Sequence, residues 1–253
     1  MREHLSSDYD ESDPDSVNPV QLVNIMTGQF ETGQNNTFKD CVLAQMWQNG
    51  RLRTSSLMQQ MLGNQAFRSQ ISDLVRFGLS RYERVYKKDR YDSTMLSIGR
   101  SYSYRDVARM LNWDKAPVAQ NIGGYIYNEK TKTYPIFINY IKDEGISDSI
   151  KYADRFLSPE ELISISKSRR TCESLDVQRM RHAAENGVRV SLFMRKRTAG
   201  NDNEGKNFYF LGNMNYEDSQ DTNDANGNKL AEIKWRLDRP VERSLYDYMT
   251  MSD

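Results

Sequence analysis

The apolar positions in the first third of the chain recur at the spacing of amphipathic helices. Apolar side chains at helical intervals predict a first helix over residues 38–48. Thr54 is placed to cap a second helix that ends at Gly63, and a third helix follows as far as Gly78. Three short helices separated by a tight glycine turn resemble a helix-turn-helix core.

The outer face of the predicted third helix carries polar side chains at helical repeats. Arg68, Ser72 and Arg76 are spaced by one helical turn each, opposite the apolar stripe. A recognition helix carries its phosphate and base contacts on such a face, which makes Arg68 and Arg76 candidate nucleic-acid contacts. An ordinary solvated helix face is the alternative, and it is the more frequent origin of this pattern.

Beyond Trp113 the hydrophobic period changes from that of helices to that of strands. Residues 122–127 and 133–141 flank a polar turn and predict a β-hairpin, with Pro135 at a strand start or at a sheet edge. Strands with long polar loops between them favour a small curved sheet or open barrel. Further strands are predicted over residues 188–194, 208–214 and 230–237.

Two further helices are predicted from capping patterns. Ser103 and Asp106 form a capping-box-like pair that begins one helix, which continues to Asn112. Ser158 and Pro159 resemble the start of another helix, because proline fits the first helical position and the acidic residues that follow suit the positive end of the helix dipole.

These patterns predict an α+β fold and divide the chain into three parts. Residues 1–36 form a predicted flexible, acidic and polar tail, since their composition buries too little apolar area to offset chain entropy. A nucleic-acid mimic or a linker from a larger polypeptide is the alternative for this segment. Residues 37–98 are a helical, helix-turn-helix-like lead-in, and residues 99–250 are a β-rich domain with a curved sheet or small open barrel.

Composition excludes several kinds of chemistry. The chain balances 35 Lys and Arg against 35 Asp and Glu, which argues against a uniform basic coat. Two histidines and two distant cysteines exclude multi-imidazole sites, zinc knuckles and a disulfide framework, so we expect no cofactor and no metal. No apolar run is long enough to cross a membrane and no signal peptide is recognisable, so we expect a cytoplasmic protein.

Charge is unevenly distributed within the neutral total. The basic cluster Arg195-Lys196-Arg197 follows a predicted strand directly and is suited to contact phosphates. Residues 215–228 are predicted to form a polar loop that carries several acidic side chains. The sequence therefore predicts two surfaces of opposite charge.

One short match to a catalytic motif occurs in the chain. The sequence has no P-loop, so it holds no complete helicase motor, and we expect no catalytic activity in this chain alone. Glu232-Ile-Lys234 lies in a predicted strand, as metal-dependent nucleases of the PD-(D/E)xK type require. Such a triplet arises easily by chance in a charged chain, and a strand whose outer face alternates charges explains it more simply.

A segment rich in serine and arginine carries a stronger binding signal. Ser166, Ser168, Arg169 and Arg170 fall close together, and hydroxyl and guanidinium groups hold phosphate oxygens. A solvated loop that pairs with nearby acidic residues explains the segment equally well.

Several longer motifs stand out along the chain: residues 102–114 (YSYRDVARMLNWD), 134–138 (YPIFI), 152–157 (YADRFL), 166–171 (SKSRRT), 207–212 (NFYFLG) and 245–249 (LYDYM). Together they resemble a bacterial family that is labelled a domain of unknown function. Members usually form the C-terminal region of DEAD/DEAH-type superfamily-two helicases, often behind a phospholipase-D-like nuclease domain. The resemblance implies a DNA-directed role in a restriction-like or phage-defence system, with helicase and nuclease domains as partners.

The number of strands and the Ser/Arg segment also look like PUA- or SRA-type barrels that read modified bases. The sequence therefore favours a non-catalytic DNA-binding module of a helicase and nuclease system. In this hypothesis Arg169, Arg170 and Arg195–Arg197 neutralise phosphates. Trp113 or Tyr125 stacks on an extruded base, although an aromatic residue after a capped helix is usually part of a core.

Two other functions stay open at this point. The first is a protein-interaction or regulatory module that uses residues 215–228 as its contact surface. The second is a metal-dependent nuclease built on Glu232 and Lys234.

Overall fold

The chain folds into two compact units. The computed structural model describes residues 15, 19–26, 28, 30–31, 43–46, 52–92, 94–118, 124–140, 154–196, 207–224 and 226–251. One unit is drawn from residues 1–97 and 108–118, and the other from residues 98–107 and 119–253. In the described part of the chain no helix is both long and apolar enough to span a membrane.

Among its described residues, the first unit contains helices and one pair of short strands. Its elements are α1 (Pro19–Met26), β1 (Ala44–Met46), β2 (Leu52–Thr54), α2 (Ser56–Gly63), α3 (Gln65–Arg81), a π-helical turn (Tyr82–Tyr86) and a 3-10 turn (Lys87–Asp89). Strands β1 and β2 pair antiparallel. Two of the three predicted helices are thus present as α2 and α3.

The predicted helix over residues 38–48 is wrong where the structure describes it. Residues 44–46 form β1, and residues 38–42 and 47–48 lie outside the described residues. The sequence between the two strands contains Asn49-Gly50, a pair that favours hairpin turns and that also resembles the end of a helix. The pairing of residues 44–46 with β2 shows that strand pairing overrides the helical signal there.

Helices α2 and α3 are each capped by a side chain that accepts a hydrogen bond from an amide three residues later. The Ser55 hydroxyl accepts a hydrogen bond from the Met58 amide at 3.2 Å, and Asn64 Oδ1 accepts one from the Phe67 amide at 3.2 Å. Ser55 therefore caps α2, and the prediction of Thr54 was wrong by one residue because Thr54 pairs within β2. Each cap satisfies an amide at the helix start that has no intrahelical partner.

Helix α1 lies within the segment that was predicted to be a polar tail. The Gln21 side-chain amide is buried and donates to the carbonyl oxygens of Arg109 at 3.1 Å and Trp113 at 3.2 Å. Phe30 is completely buried, and the Arg109 guanidinium pairs with Glu31 at 2.9 Å. Polar side chains thus fix α1 in the first unit, which the polarity of its sequence did not indicate.

The second unit is built on one sheet. Its elements are β3 (Ser101–Tyr102), the start of α4 (Tyr104–Met110), β4 (Thr133–Asn139), β5 (Arg155–Phe156), β6 (Glu161–Ile165), α5 (Leu175–Arg181), β7 (Arg189–Arg195), β8 (Phe208–Asn223), β9 (Lys229–Leu237) and α6 (Arg243–Thr250). The strand order is β4-β7-β8-β9-β6-β5, and β3 pairs with β8. Strand β4 runs parallel to β7, and the other pairs are antiparallel.

The sheet curls into a half-barrel, so the predicted α+β class and curved sheet are confirmed. The pairing of β7 with β8 is irregular at Phe193, and that of β8 with β9 is irregular at Asp218. Bulges of this kind bend a strand and increase its twist, which lets the single long strand β8 serve both halves of the sheet. The curled face covers a core whose largest completely enclosed side chains include Trp235, Tyr134, Phe193, Phe208 and Phe210.

Three of the predicted strands coincide with β7, β8 and β9. Pro135 lies in β4, at an edge of the sheet, as a residue without an amide hydrogen requires. Residues 124–128 face β4 only through isolated bridges, such as that between Tyr125 and Ile136, so the predicted hairpin is short. The predicted capping pair is confirmed, because Asp106 accepts from both the amide and the hydroxyl of Ser103.

Two predictions in the second unit are wrong. The helix predicted to begin at Ser158 is the strand β6, which pairs with β9. The Ser158 hydroxyl accepts from the amides of Glu160 and Glu161, so the capping residue closes a turn before the strand rather than a helix. The acidic loop predicted over residues 215–228 is mostly the second half of β8.

A buried hydrogen bond in the core gives a test of this fold. The Trp235 indole nitrogen donates to the Ser164 hydroxyl at 2.8 Å, and both residues are buried. Ser164→Ala leaves the indole N–H without its partner, so we expect the free energy of unfolding to fall by about 1–3 kcal/mol. Urea denaturation followed by circular dichroism measures the change. Ser168→Ala, on an exposed turn, is the control and should change little; equal stability of the two variants contradicts this packing.

Candidate functional site

A cleft of about 470 Å³ opens on the second unit. It lies among residues 124–127, strand β4, the segment that follows β6, and helix α5. Its volume is in the range of about 300–1,000 Å³ that small-molecule sites occupy. The lining residues are Tyr125, Ile126, Tyr127, Tyr134, Lys167, Arg170, Ser174, Leu175, Asp176 and Arg179.

Asp176 is the centre of the hydrogen bonds in the cleft. Its Oδ2 accepts from the Tyr125 hydroxyl at 2.6 Å and from the Arg170 Nε at 3.2 Å. The Tyr125 hydroxyl in turn accepts from the Lys167 amide at 3.2 Å, and the Tyr134 hydroxyl donates to the Asp176 carbonyl at 3.4 Å. These contacts hold α5, β4 and the segment after β6 around one carboxylate.

The two buried tyrosines keep their hydroxyl protons over a wide pH range. Burial raises the pKa of Tyr125, and its hydrogen bond to Asp176 raises it further. Burial also raises the pKa of Tyr134, with the charge of Asp176 as the second cause. Both phenols are therefore neutral hydrogen-bond donors at physiological pH.

Aromatic rings and cations alternate around the cleft. The Tyr125 and Tyr134 rings meet edge to face with centroids 5.8 Å apart, and Tyr127 lies 5.5 Å from Tyr134. The Lys167 ammonium sits 4.4 Å from the centroid of Tyr125, and the Arg179 guanidinium sits 5.0 Å from that of Tyr127. These are cation–π contacts, in which the positive group covers the negative face of the ring.

The cations of the cleft outnumber its carboxylate. Among the described residues, Lys167, Arg170 and Arg179 line it, and Asp176 is the one acidic side chain in the lining. Lys167 is half-buried and donates to the Tyr125 carbonyl at 3.0 Å, and burial lowers the pKa of its ammonium group. Arg170 keeps half of its side chain exposed, and Arg179 is exposed. The cleft is therefore an electropositive site with aromatic walls.

The segment between β6 and α5 is fixed by hydrogen bonds at both of its ends. Near α5, the Cys172 amide donates to Asp221 of β8 at 2.6 Å, and the Thr171 amide donates to the Ser174 hydroxyl at 2.9 Å. Next to β6, the buried Ser166 hydroxyl accepts from the Ala231 amide at 2.9 Å. Arg169 lies between them with a φ of 61°, in the left-handed region that non-glycine residues rarely adopt.

The structure divides the predicted Ser/Arg cluster. Arg170 lines the cleft, whereas Ser168 and Arg169 are exposed beside it in sequence and are not lining residues. The Ser166 hydroxyl is occupied by a backbone contact and does not face solvent. The segment follows a strand and not the helix that the sequence predicted.

The second predicted basic cluster lies at the end of β7, apart from the lining of the cleft. The Arg195 guanidinium sits 4.2 Å from the centroid of Phe208 and donates to Asn139 at 2.5 Å. Lys196 places its ammonium 5.4 Å from the centroid of Tyr248. Arg197 is outside the described residues.

The candidates in the first unit have local partners. Arg68 donates to a carbonyl oxygen of α2, and Arg76 lies 3.9 Å from Asp73 in the same helix. The apolar stripe of α3 is exposed, since Leu74 is 65 % accessible. Trp113 is buried, so it belongs to the core, and of the two predicted stacking residues Tyr125 alone lines the cleft.

The residues of the nuclease alternative are held in ion pairs. Glu232 pairs with Arg155 at 3.0 Å and accepts from Gln220 at 2.7 Å. Lys234 lies between two carboxylates, Glu161 at 3.2 Å and Glu217 at 3.0 Å. Among the described residues no group of three His, Cys, Asp or Glu side chains is arranged to hold a metal ion.

The acidic side chains of residues 215–228 are engaged within the second unit. Hydrogen bonds from Lys234 and Arg236 hold the pKa of Glu217 below its usual range. The contact with the Cys172 amide does the same for Asp221. Asp224 accepts from the amide and side chain of Asn228, which closes the turn into β9.

Sequence reasoning missed most of the cleft. Tyr127, Tyr134, Lys167, Asp176 and Arg179 were not predicted as site residues. The helix that carries two of them had a recognisable signal: Ser174 at the cap position, Asp176 in the first turn and basic residues in the last turn. Prediction of α5 would have placed Asp176 and Arg179 one turn apart on a helix that follows the Ser/Arg segment.

Comparisons with known proteins identify a family. The family described as "Domain of unknown function (DUF3427)" matches residues 96–249, and this confirms the predicted membership of a domain-of-unknown-function family. No curated protein matches the sequence.

Similar solved structures include SRA domains and proteins that contain them. The SUVH5 SRA complex with hemi-methylated CG DNA shares 13% identity, with a TM-score of 0.38, and covers 58% of this chain and 92% of that one. KRYPTONITE with mCHG DNA and SAH shares 9%, with a TM-score of 0.40, over 59% and 33%. Arabidopsis thaliana SUVH6 with SAM shares 14%, with a TM-score of 0.36, over 58% and 27%.

Tyr125 gives a test of the cleft's architecture. Tyr125→Phe removes the hydroxyl that joins Asp176 to the Lys167 amide, so we expect the free energy of unfolding to fall by about 1–2 kcal/mol. Tyr127→Phe is the matched control, because no hydrogen bond of the Tyr127 hydroxyl to a described residue is seen. Urea denaturation of both variants checks the difference, and an unchanged Tyr125→Phe would contradict the role of this hydroxyl.

Proposed function

The chain belongs to the DUF3427 family. We propose for it a function that rests on the cleft of the second unit. The protein is a non-catalytic module that binds duplex DNA and reads one base extruded into this cleft. The observation that carries the proposal is the meeting of three tyrosines, three cations and one carboxylate in a single opening.

Each group in the cleft suits one part of a nucleotide. Aromatic faces such as that of Tyr127 stack on bases of any sequence. Arg170 and Arg179 present planar donors that match phosphate oxygens. A carboxylate such as that of Asp176 accepts from the exocyclic amine of cytosine, which gives the site a means to distinguish bases.

The cations over the rings offer a route from the free to the bound state. In the free protein Lys167 and Arg179 cover the faces of Tyr125 and Tyr127. A phosphate attracts these cations more strongly than a ring does, so backbone binding draws them outward and uncovers the aromatic surface. Extrusion of a base costs a few kcal/mol, which stacking and hydrogen bonds in the cleft offset.

Asp176 retains capacity for a base. Its Oδ2 accepts two hydrogen bonds, from Tyr125 and Arg170. Its Oδ1 accepts from the Val177 amide at 3.2 Å, and a carboxylate oxygen has two lone pairs. The remaining position is suited to an amine donor.

The surrounding system is part of the same proposal. The resemblance of residues 102–114 and 245–249 to helicase-associated domains supports a place beside a helicase motor and a phospholipase-D-like nuclease, in a bacterial restriction-like or phage-defence system. The module would position that machinery on DNA. The alternatives are less favoured because the acidic side chains of residues 215–228 and Lys234 are engaged in internal ion pairs and hydrogen bonds.

Salt-dependent binding tests this function. Arg170→Ala with Arg179→Ala should weaken binding to all duplexes and reduce the slope of log affinity against log salt by about 0.9 for each lost phosphate contact. Fluorescence anisotropy with a labelled duplex at several salt concentrations measures both quantities. Arg179 is exposed, and Arg170 forms a half-exposed ion pair with Asp176, a kind of contact that contributes about 0–1 kcal/mol, so folding should be preserved.

The matched control removes two cations that do not line the cleft. Lys229→Ala with Arg243→Ala lowers the net charge equally, and both side chains are exposed. The control should bind DNA with the wild-type slope. An equal loss of DNA affinity in both double variants would indicate a non-specific charge effect. Identical binding isotherms for the wild type and both double variants would contradict the assignment of DNA binding to the cleft. An RNA duplex of the same sequence tests the choice of DNA.

A further inference from the structure

The cleft is larger than a methylated pyrimidine requires. Its volume of about 470 Å³ falls within the range of drug-sized ligands, and a methylated pyrimidine base is much smaller than such a ligand. A methyl group gains affinity from a tight apolar hole, because its contribution is the apolar area that it buries. Apart from the tyrosines, the apolar side chains that line the cleft in the described part of the chain are Ile126 and Leu175, and Leu175 is 67 % exposed.

The side chains at the mouth are hydrogen-bond donors. The Ser174 hydroxyl accepts from the Thr171 amide, and among the described residues no acceptor for its own proton is seen. Arg179 contacts the Tyr127 ring with its guanidinium and forms no ion pair with a described carboxylate. Lys167 and Arg170 add two further cations to the same opening. A substituent rich in oxygen atoms therefore fits this site better than a hydrocarbon group does.

Sugars have chemical groups that match the side chains at this opening. Their hydroxyl oxygens accept hydrogen bonds from arginine, lysine and serine, and their C–H faces pack on aromatic rings. We propose that the cleft reads a pyrimidine whose 5-position carries a sugar. This inference rests on the proposed function, since the sugar is presented on an extruded base of duplex DNA.

Four duplexes of one sequence test the inference. They carry, at one position, cytosine, 5-methylcytosine, 5-hydroxymethylcytosine or 5-(glucosyloxymethyl)cytosine, and anisotropy at a fixed salt concentration gives the dissociation constant of each. The ratio between duplexes is the readout, because phosphate contacts are the same in all four and cancel. We expect the glucosylated duplex to bind at least about tenfold more tightly than the methylated one, which corresponds to a charge-assisted hydrogen bond.

Two variants connect the preference to named side chains. Arg179→Met keeps an unbranched chain like the aliphatic part of the arginine side chain and removes its donors, and Ser174→Ala removes one hydroxyl. Both should lower the ratio of glucosylated to methylated affinity by threefold or more, whereas Ser168→Ala, an exposed serine that does not line the cleft, should leave the ratio unchanged.

The outcomes separate this inference from the proposed function. Salt-dependent binding with equal affinity for all four duplexes, or with preference for the methylated one, overturns the sugar preference and leaves DNA binding intact. A preference for glucosylated DNA that survives both Arg179→Met and Ser174→Ala overturns the assignment to these residues. Failure to bind any duplex at any salt concentration contradicts the proposed function and the inference together.

Discussion

Strand β8 is the constraint on which the second unit depends. Its first half pairs with β7, and its second half pairs with β9, so one continuous strand joins both halves of the curled sheet. Near the far end of β8, Asp221 accepts a hydrogen bond from the Cys172 amide. This contact anchors the segment that carries Lys167 and Arg170. The position of the cleft thus follows from the length and curvature of one strand.

Internal pairing explains how a chain of zero net charge contains an electropositive site. The acidic residues of β8 are matched by cations of β9, as in the contacts of Glu217 with Lys234 and Arg236. The cations of the cleft face aromatic rings and a single carboxylate instead. The distribution of partners, and not the total of charges, gives each surface its character.

Local signals in the sequence predicted the elements that are determined locally. The strands at residues 188–194, 208–214 and 230–237 and the capping pair of Ser103 and Asp106 depend on neighbouring residues, and they were predicted correctly. Ser158-Pro159 and residues 44–46 were misassigned because turns and helix caps use the same residue types. Strand pairing decided both cases, with the adjacent strand β2 for residues 44–46 and with the distant strand β9 for β6.

The candidate site was largely beyond such reasoning because its members are distant in sequence. Tyr125 and Asp176 are separated by 51 positions, and their hydrogen bond requires the whole order of the sheet. Arg170 and Tyr125 were predicted, since one lay in a recognisable cluster and the other in an aromatic strand. Asp176 and Arg179 were not predicted as site residues because helix α5 was not predicted, although its cap and charge pattern were present in the sequence.

The left-handed backbone of Arg169 has a consequence for protein engineering. Glycine or asparagine adopts a φ of 61° at lower cost than arginine does, by a margin on the order of 1 kcal/mol. A selection for thermal stability alone would therefore favour replacement of Arg169, and would remove a cation next to the mouth of the cleft. Variants that gain heat resistance at this position should be screened for retention of ligand affinity before they are adopted as improved scaffolds.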